Sequence, residues 1–140
     1  MNRRSGEMPG PSLGPLDYIY APSTDVAEDV RWFTEVLGAE LVFAIDSSGT
    51  RVAMLRLGTG APALLVTDHL PDDHAVSIYR VDDLAATSAD LTARGWTPER
   101  TIELPPGPCT TFRSPGGHRL AMYELARPGV VESMAGQRAF

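Results

Sequence analysis

Two stretches of the chain stop a helix on a glycine and turn at once into an extended run: WFTEVLGAELVF, Trp32 to Phe43, and LTARGWTPERTI, Leu91 to Ile102. Each follows the same kind of opening. A strand-like run, LDYIYAP in the first case and HAVSIYRV in the second, leads to an aspartate placed to cap a helix: Asp25, then Asp82 or Asp83. Asp25 and Glu28 have capping-box spacing. Val26, Val30, Phe33 and Leu37 recur at helical spacing, so one stripe of the first helix faces a core, and Leu84 and Leu91 mark the buried side of the second. Gly38 and Gly95 stand where a left-handed C-cap is wanted. The distance from Asp25 to Gly38 is 13 positions and from Asp83 to Gly95 it is 12. Three extended runs follow each stop. They are AELVFAI, RVAMLRL and ALLVT, joined by DSSGT and GTGAP, and then TPERTIEL, CTTFRS and RLAMYEL, joined by PPGP and PGGH. Strand, helix, strand, strand, strand thus occurs twice. The pattern predicts an α+β domain over residues 16–125, built from a duplicated βαβββ unit at 16–67 and 74–125.

The bulk composition narrows the partners. With 140 residues, 43% of them hydrophobic, the chain suits one domain with a core that needs no staples. Its net charge of −6 repels phosphate backbones and argues against nucleic acid. No run reaches the roughly 18–20 apolar residues that span a bilayer, so no membrane partner is expected. The opening MNRRSGEMPGPSLGP has two arginines and no apolar stretch after them; it reads as a loose arm over 1–15 and not as a signal peptide. A single cysteine, Cys109, allows no internal disulfide and fits a reducing cytoplasm. It has no basic neighbour in sequence to make it reactive. From Arg127 the chain returns to the composition of the arm, and 126–140 reads as a tail whose Val130, Val131, Met134 and Phe140 are free to dock on a neighbour.

The entry LDYIYAPSTDVAEDVRWFTEVLG, the centre SIYRVDDLAA and the terminal FRSPGGHRLAMYEL, in that order and spacing, resemble the vicinal oxygen chelate superfamily of glyoxalases, bleomycin-resistance proteins and extradiol dioxygenases. The resemblance covers Leu16 to Leu125. It implies two modules whose curved mixed sheets enclose a cavity, paired within one chain or exchanged between two, and a homodimer as in bleomycin-resistance-like members. It also implies a test. Metal-dependent relatives hold a divalent ion with His and Glu side chains that point inward from neighbouring strands. Counting from the helix caps and the PGGH turn, the four ligand places here fall on Tyr18, Leu64, Val76 and Ala121. Only the phenol could ligate, so neither metal nor other cofactor is expected. His69 and His74, near Asp72 and Asp73, read as solvated loop histidines.

Period-two alternation extends the inward face to Tyr20, His74, Ile78 and Tyr123, with Met54 and Phe112 from the middle strands. The expected pocket, formed by Tyr18, Tyr20, Met54, Leu64, His74, Val76, Ile78, Phe112, Ala121 and Tyr123, is aromatic and aliphatic with a few polar handles, and contains no assignable catalytic residue. It suits a small hydrophobic or aromatic molecule, oriented by phenol O–H groups. The expectation is a metal-independent, bleomycin-resistance-like binding protein. A glyoxalase- or dioxygenase-like enzyme acting on a small organic substrate stays open beside it, as does an interaction module with a filled core.

Overall fold

The computed structural model describes residues 12–70 and 74–140. Residues 1–11 of the expected arm and residues 71–73, with Asp72 and Asp73, lie outside the described residues. The strands are β1 (Leu16–Pro22), β2 (Glu40–Ser47), β3 (Thr50–Arg56), β4 (Ala63–Thr67), β5 (Val76–Val81), β6 (Arg100–Leu104), β7 (Gly107–Arg113) and β8 (Arg119–Glu124). The helices are α1 (Val26–Glu35), α2 (Leu84–Ala93) and α3 (Val130–Met134). All eight strands form one mixed sheet in the order β2-β3-β4-β1-β5-β8-β7-β6, curled into a half-barrel.

Each half follows the same plan. The first strand lies parallel to the fourth, β1 to β4 and β5 to β8, and the middle strands pair antiparallel. The halves meet where β1 pairs antiparallel with β5, Tyr18 opposite Ile78 and Tyr20 opposite Val76. The modules therefore sit side by side within one chain.

Both helices start where the sequence places them. The Asp25 carboxylate accepts from the Glu28 N–H at 3.0 Å, and Asp83, not Asp82, accepts from the Ala86 N–H at 2.9 Å. Each bond satisfies a donor that the first helical turn leaves open. Gly38 (φ +71°) and Gly95 (φ +98°) take the left-handed turn that ends each helix segment. The α1 stripe is shorter than the sequence pattern. Val26, Val30 and Phe33 pack with Ala44, Ala53, Leu55 and Val66, but the helix ends at Glu35 and Leu37 stays half exposed. Under α2, Leu84 and Leu91 meet Val81, Met122, Trp96 and Phe112, with the Trp96 and Phe112 rings edge to face at 5.5 Å. Glu124 supports this join by accepting from the Leu84 N–H at 2.9 Å. The helices α1 and α2 cover one face of the sheet, and the other face is the concavity.

The chain ends differ from the loose segments expected. Gly14 N–H donates to the Arg80 carbonyl at 2.8 Å and Arg80 N–H to the Pro15 carbonyl at 2.9 Å, which fastens the last residues of the arm beside β5. Beyond β8, Val131 and Met134 of α3 pack on module one's concave face with Phe43, Met54 and Ala63. Ala44 then donates to the Gln137 carbonyl and accepts from Ala139 N–H, both at 2.7 Å, so this segment adds to the open edge of β2. Phe140 packs with the α1 core. Apolar side chains that the sequence leaves available to a neighbour are thus used by the chain itself.

Two predictions follow from this framework. A Cβ at Gly107 would lie 1.8 Å from the Glu124 carbonyl oxygen, a clash with backbone. Gly107→Ala should lose about 3 kcal/mol or fail to fold, whereas Gly116→Ala, which meets nothing within 4 Å, should stay within about 0.5 kcal/mol of the parent in urea unfolding. Asp25→Ala and Asp83→Ala should each cost about 1 kcal/mol in the same measurement.

Candidate functional site

The concave face is fixed by strand pairing. Tyr18 of β1 stands opposite Ala63 of β4 and Ile78 of β5, and Ile78 stands opposite Ala121 of β8. Tyr20 stands opposite Leu65 and Val76. Alternation on these strands carries the same face to Arg80, Arg119 and Tyr123, and pairing extends it to Met54, opposite Leu65, and Cys109, opposite Tyr123. The floor is dry in its middle: Val76, Ile78, Ala121 and Tyr123 are all 3% exposed or less.

Three openings lie along this floor. A small hole of about 100 Å³ lies at the centre, between Tyr18, Tyr20, Phe43, Met54 and Ile78 below and Leu104, Pro106, Val131 and Met134 above, and its lining is almost wholly apolar. On one side, a cleft of about 400 Å³ is bounded by Tyr18, Met54, Tyr123, Asp17 and Arg80 and by the chain from Arg127 to Glu132. On the other, a cleft of about 390 Å³ is bounded by Tyr20, His69, Val76, Ile78, Cys109 and Ala121, among others. Both clefts share walls with the central hole.

Polar groups sit at the two sides. A register shift in the β1–β5 pairing between Leu16 and Tyr18 lets Asp17 reach the concave side, the usual way a bulge re-aims a side chain. The Asp17 carboxylate accepts from the Tyr123 hydroxyl at 2.6 Å and pairs with Arg80 Nε at 3.2 Å. Burial first, and then the bond to Asp17, push the Tyr123 phenol upward, so it stays protonated as a donor. Burial also raises Tyr18, whose ring is tilted against Tyr123 at 5.7 Å between centroids. At the other side, Tyr20 Oη lies 3.1 Å from His69 Nε2, and His69 Nδ1 lies 2.5 Å from Thr67 Oγ1. Burial raises Tyr20 as well. Burial alone pushes the Cys109 thiol up to about 12, which leaves it unionised at neutral pH.

Of the residues picked out by sequence, the structure gathers Tyr18, Tyr20, Met54, Val76, Ile78, Ala121 and Tyr123 on this face. Three lie elsewhere. Leu64 packs under α1 with Val66, while Ala63 and Leu65 face the concavity. A count into β4 patterned on the PGGH turn falls one residue out, because six residues separate β3 from β4 and five separate β7 from β8. A shift of one residue moves every side chain to the other face. Phe112 is turned to the helix side by the same parity, since Thr111, not Phe112, pairs with Ala121. His74 precedes β5 and lines a separate surface recess with His118 and Arg119. Residues that sequence reasoning missed are Asp17, exposed only by the bulge, and His69, brought to Tyr20 by the return after β4.

Metal-dependent relatives require inward imidazoles and carboxylates at the centre of this floor. Here those places hold Tyr18, Val76 and Ala121, and at the fourth Leu64 faces α1 while its neighbours Ala63 and Leu65 face the concavity. Among the described residues no three His, Cys, Asp or Glu side chains come together to hold an ion. The donor set does not fit a divalent metal, and no chemistry is routed through one. Among the described residues, no helix is long and apolar enough to cross a membrane.

Comparison with known proteins agrees with the fold. No curated protein matches the chain. Among solved structures, methylmalonyl-CoA epimerase from Mycobacterium tuberculosis superposes with a TM-score of 0.69 at 18% identity, covering 86% of this chain and 94% of that one. A Streptomyces coelicolor methylmalonyl-CoA epimerase variant in complex with 2-nitronate-propionyl-CoA gives 0.65 at 19% identity, covering 82% and 96%. A hypothetical protein from Bacillus halodurans gives 0.64 at 15%, covering 79% and 93%. At such identities the likeness is one of fold. The family model of the Glyoxalase/Bleomycin resistance protein/Dioxygenase superfamily matches residues 16–122, and with the paired βαβββ modules in place the chain belongs to that superfamily.

Proposed function

We propose that the chain is a metal-independent binding protein that sequesters a small hydrophobic or aromatic compound on its concave face. The observation that carries this reading is the register at the centre of the floor. Tyr18, Val76 and Ala121, with Ala63, Leu65 and Ile78 beside them, offer apolar surface and a phenol where an ion would need charged or imidazole donors. A flat organic molecule gains area against such a surface, and the phenols at its edges fix its orientation. The central hole is smaller than the roughly 300 Å³ at which ligand pockets begin, so a bound compound extends from it into one of the clefts. Val131 and Met134 form part of the roof over the hole and set how deep a compound can sit.

A second reading, an enzyme acting on a small organic substrate, draws on Asp17. Its carboxylate faces the cleft bounded by the chain from Arg127 to Glu132, beside a protonated Tyr123, a pairing able to move a proton on a bound molecule. The solved epimerases named above are enzymes on the same fold. This reading requires that a compound held in the cleft exchange a C–H proton or isomerise, which incubation of the panel in D2O followed by mass spectrometry and isomer-resolving chromatography would reveal; under sequestration each compound returns intact.

Thermal shift across a panel of aromatic compounds tests the binding reading. At least a subset should raise the unfolding temperature, and uniform failure would count against sequestration. Met134→Ala should widen the central hole, tighten binding of planar aromatics severalfold in the same assay, and cost about 2 kcal/mol of stability. Protein purified without chelators should carry far less than one equivalent of transition metal by elemental analysis, and a stoichiometric ion would overturn the proposal.

A further inference from the structure

The bulge that turns Asp17 into the concavity leaves half of its carboxylate unused. The Tyr123 hydroxyl, which also has Tyr18 beside it, donates to Asp17 Oδ2 at 2.6 Å, and Arg80 Nε lies 3.2 Å from the same oxygen. Both donors fall on Oδ2. No described residue donates a hydrogen bond to Oδ1, and that atom is not sealed in the core. Asp17 lines the cleft bounded by the chain from Arg127 to Glu132, so Oδ1 opens there. A carboxylate accepts at both oxygens and has no tautomer to choose. The Asp17 side chain is only 19% exposed and is held by two partners, so its remaining acceptor is set in place before any ligand arrives.

The other charges on the cleft decide which kind of donor reaches this oxygen. Its lining holds the guanidiniums of Arg56, Arg80 and Arg127 and the carboxylates of Asp17 and Glu132. That positive excess disfavours a cationic donor. Arg56 pairs with Glu40 at 3.8 Å, and Arg127 is bonded to Glu103 at 2.6 Å and to the Leu104 and Pro105 carbonyls. An anion placed against Asp17 would meet a like charge. A neutral O–H or N–H donor meets neither obstacle. Its apolar body has a place as well, because Tyr18, Met54, Pro106 and Val131 line both this cleft and the central hole.

We infer that Asp17 Oδ1 is the acceptor that anchors the bound compound, which is therefore a neutral aromatic hydrogen-bond donor, a phenol or an aromatic N–H compound, and not a plain hydrocarbon. This rests on the binding reading given above and adds the ligand's chemical class to it. Asp17 is the group that touches the ligand, and Tyr123 and Arg80 are positioning residues.

Three probes on one ring system test this: 2-naphthol, which carries the donor, naphthalene, which lacks it, and 2-naphthoate, an anion. Titrations followed at the Met54 and Val131 methyl resonances should show 2-naphthol binding the parent protein about tenfold more tightly than naphthalene, and 2-naphthoate no more tightly than naphthalene. Asp17→Asn keeps the shape of the side chain, but Tyr123 and Arg80 hold its amide oxygen and turn its NH2 group to the cleft. The advantage of 2-naphthol over naphthalene should then fall to about twofold or less, and Tyr123→Phe should reduce it. In the parent protein the O–H of bound 2-naphthol should give a downfield proton resonance with a nuclear Overhauser contact to the Asp17 Hβ atoms, and Asp17→Asn should lose that resonance. A merely structural role for Asp17 would weaken 2-naphthol and naphthalene alike and leave their ratio. If naphthalene binds but 2-naphthol has no advantage, or keeps it in Asp17→Asn, or shows no O–H contact with Asp17 in the parent protein, the anchor assignment is overturned and the binding reading stands. The same holds if 2-naphthoate binds most tightly, since the arginines would then set the ligand class. If none of the three binds the parent protein, both are overturned. Urea unfolding confirms the fold of each variant before affinities are compared, and the O–H contact in the parent protein decides the matter if a variant does not fold.

Discussion

The backbone pairing of β1 with β5 is the constraint on which the rest depends. Each module alone would present a four-stranded sheet with one covered face and one bare one. Joining them along β1 and β5 turns two open sheets into a single curved surface and places Tyr18, Tyr20, Val76 and Ile78 at its middle. Every inward residue of those two strands is then a neighbour of the other module. The chemistry of the concavity is thus decided chiefly by a handful of positions at the seam, and in this chain those positions carry rings and branched aliphatics.

The same seam accounts for the distribution of polar groups. A register shift at Asp17 brings a carboxylate to one side of the floor, where a phenol and a guanidinium neutralise it. The imidazole of His69 reaches the other side by following β4 out of the sheet. Between them the surface is apolar, so any hydrogen bond a ligand makes is concentrated at the flanks. Burying an unpaired polar group costs a few kcal/mol, and the network at Asp17 meets this requirement within the protein itself.

The fold was legible in the sequence because its signals were redundant. Asp25 and Asp83, Gly38 and Gly95, and the three extended runs after each stop all pointed to the same unit, and an error in one would have been corrected by the others. The site was less legible because it depends on parity. Tyr18, Val76 and Ala121 could be placed by counting from a helix cap or a short turn, and the strands carried the count faithfully. Leu64 required a count through a turn one residue longer than its counterpart, which put it under α1, and Phe112 lies on a middle strand whose register no cap or short turn pins, so its parity fell to the α2 side. His69 and Asp17 carried no local signal at all, since one depends on the path of a loop and the other on a bulge. The last residues, read as a tail by composition, fold because β2 offers them an edge and module one offers α3 an apolar surface, neither of which composition records.

That final segment has a consequence for biosynthesis. The outer edge of β2 is closed by Gln137 and Ala139 bonding to Ala44, partners more than ninety residues apart in the chain. While a ribosome is still making the second module, the first can already assemble with its outermost strand unpaired. Bare strand edges invite pairing with other chains. The residues that close this edge are added to the chain after all eight strands of the sheet, so until then β2 has no outer partner from its own chain.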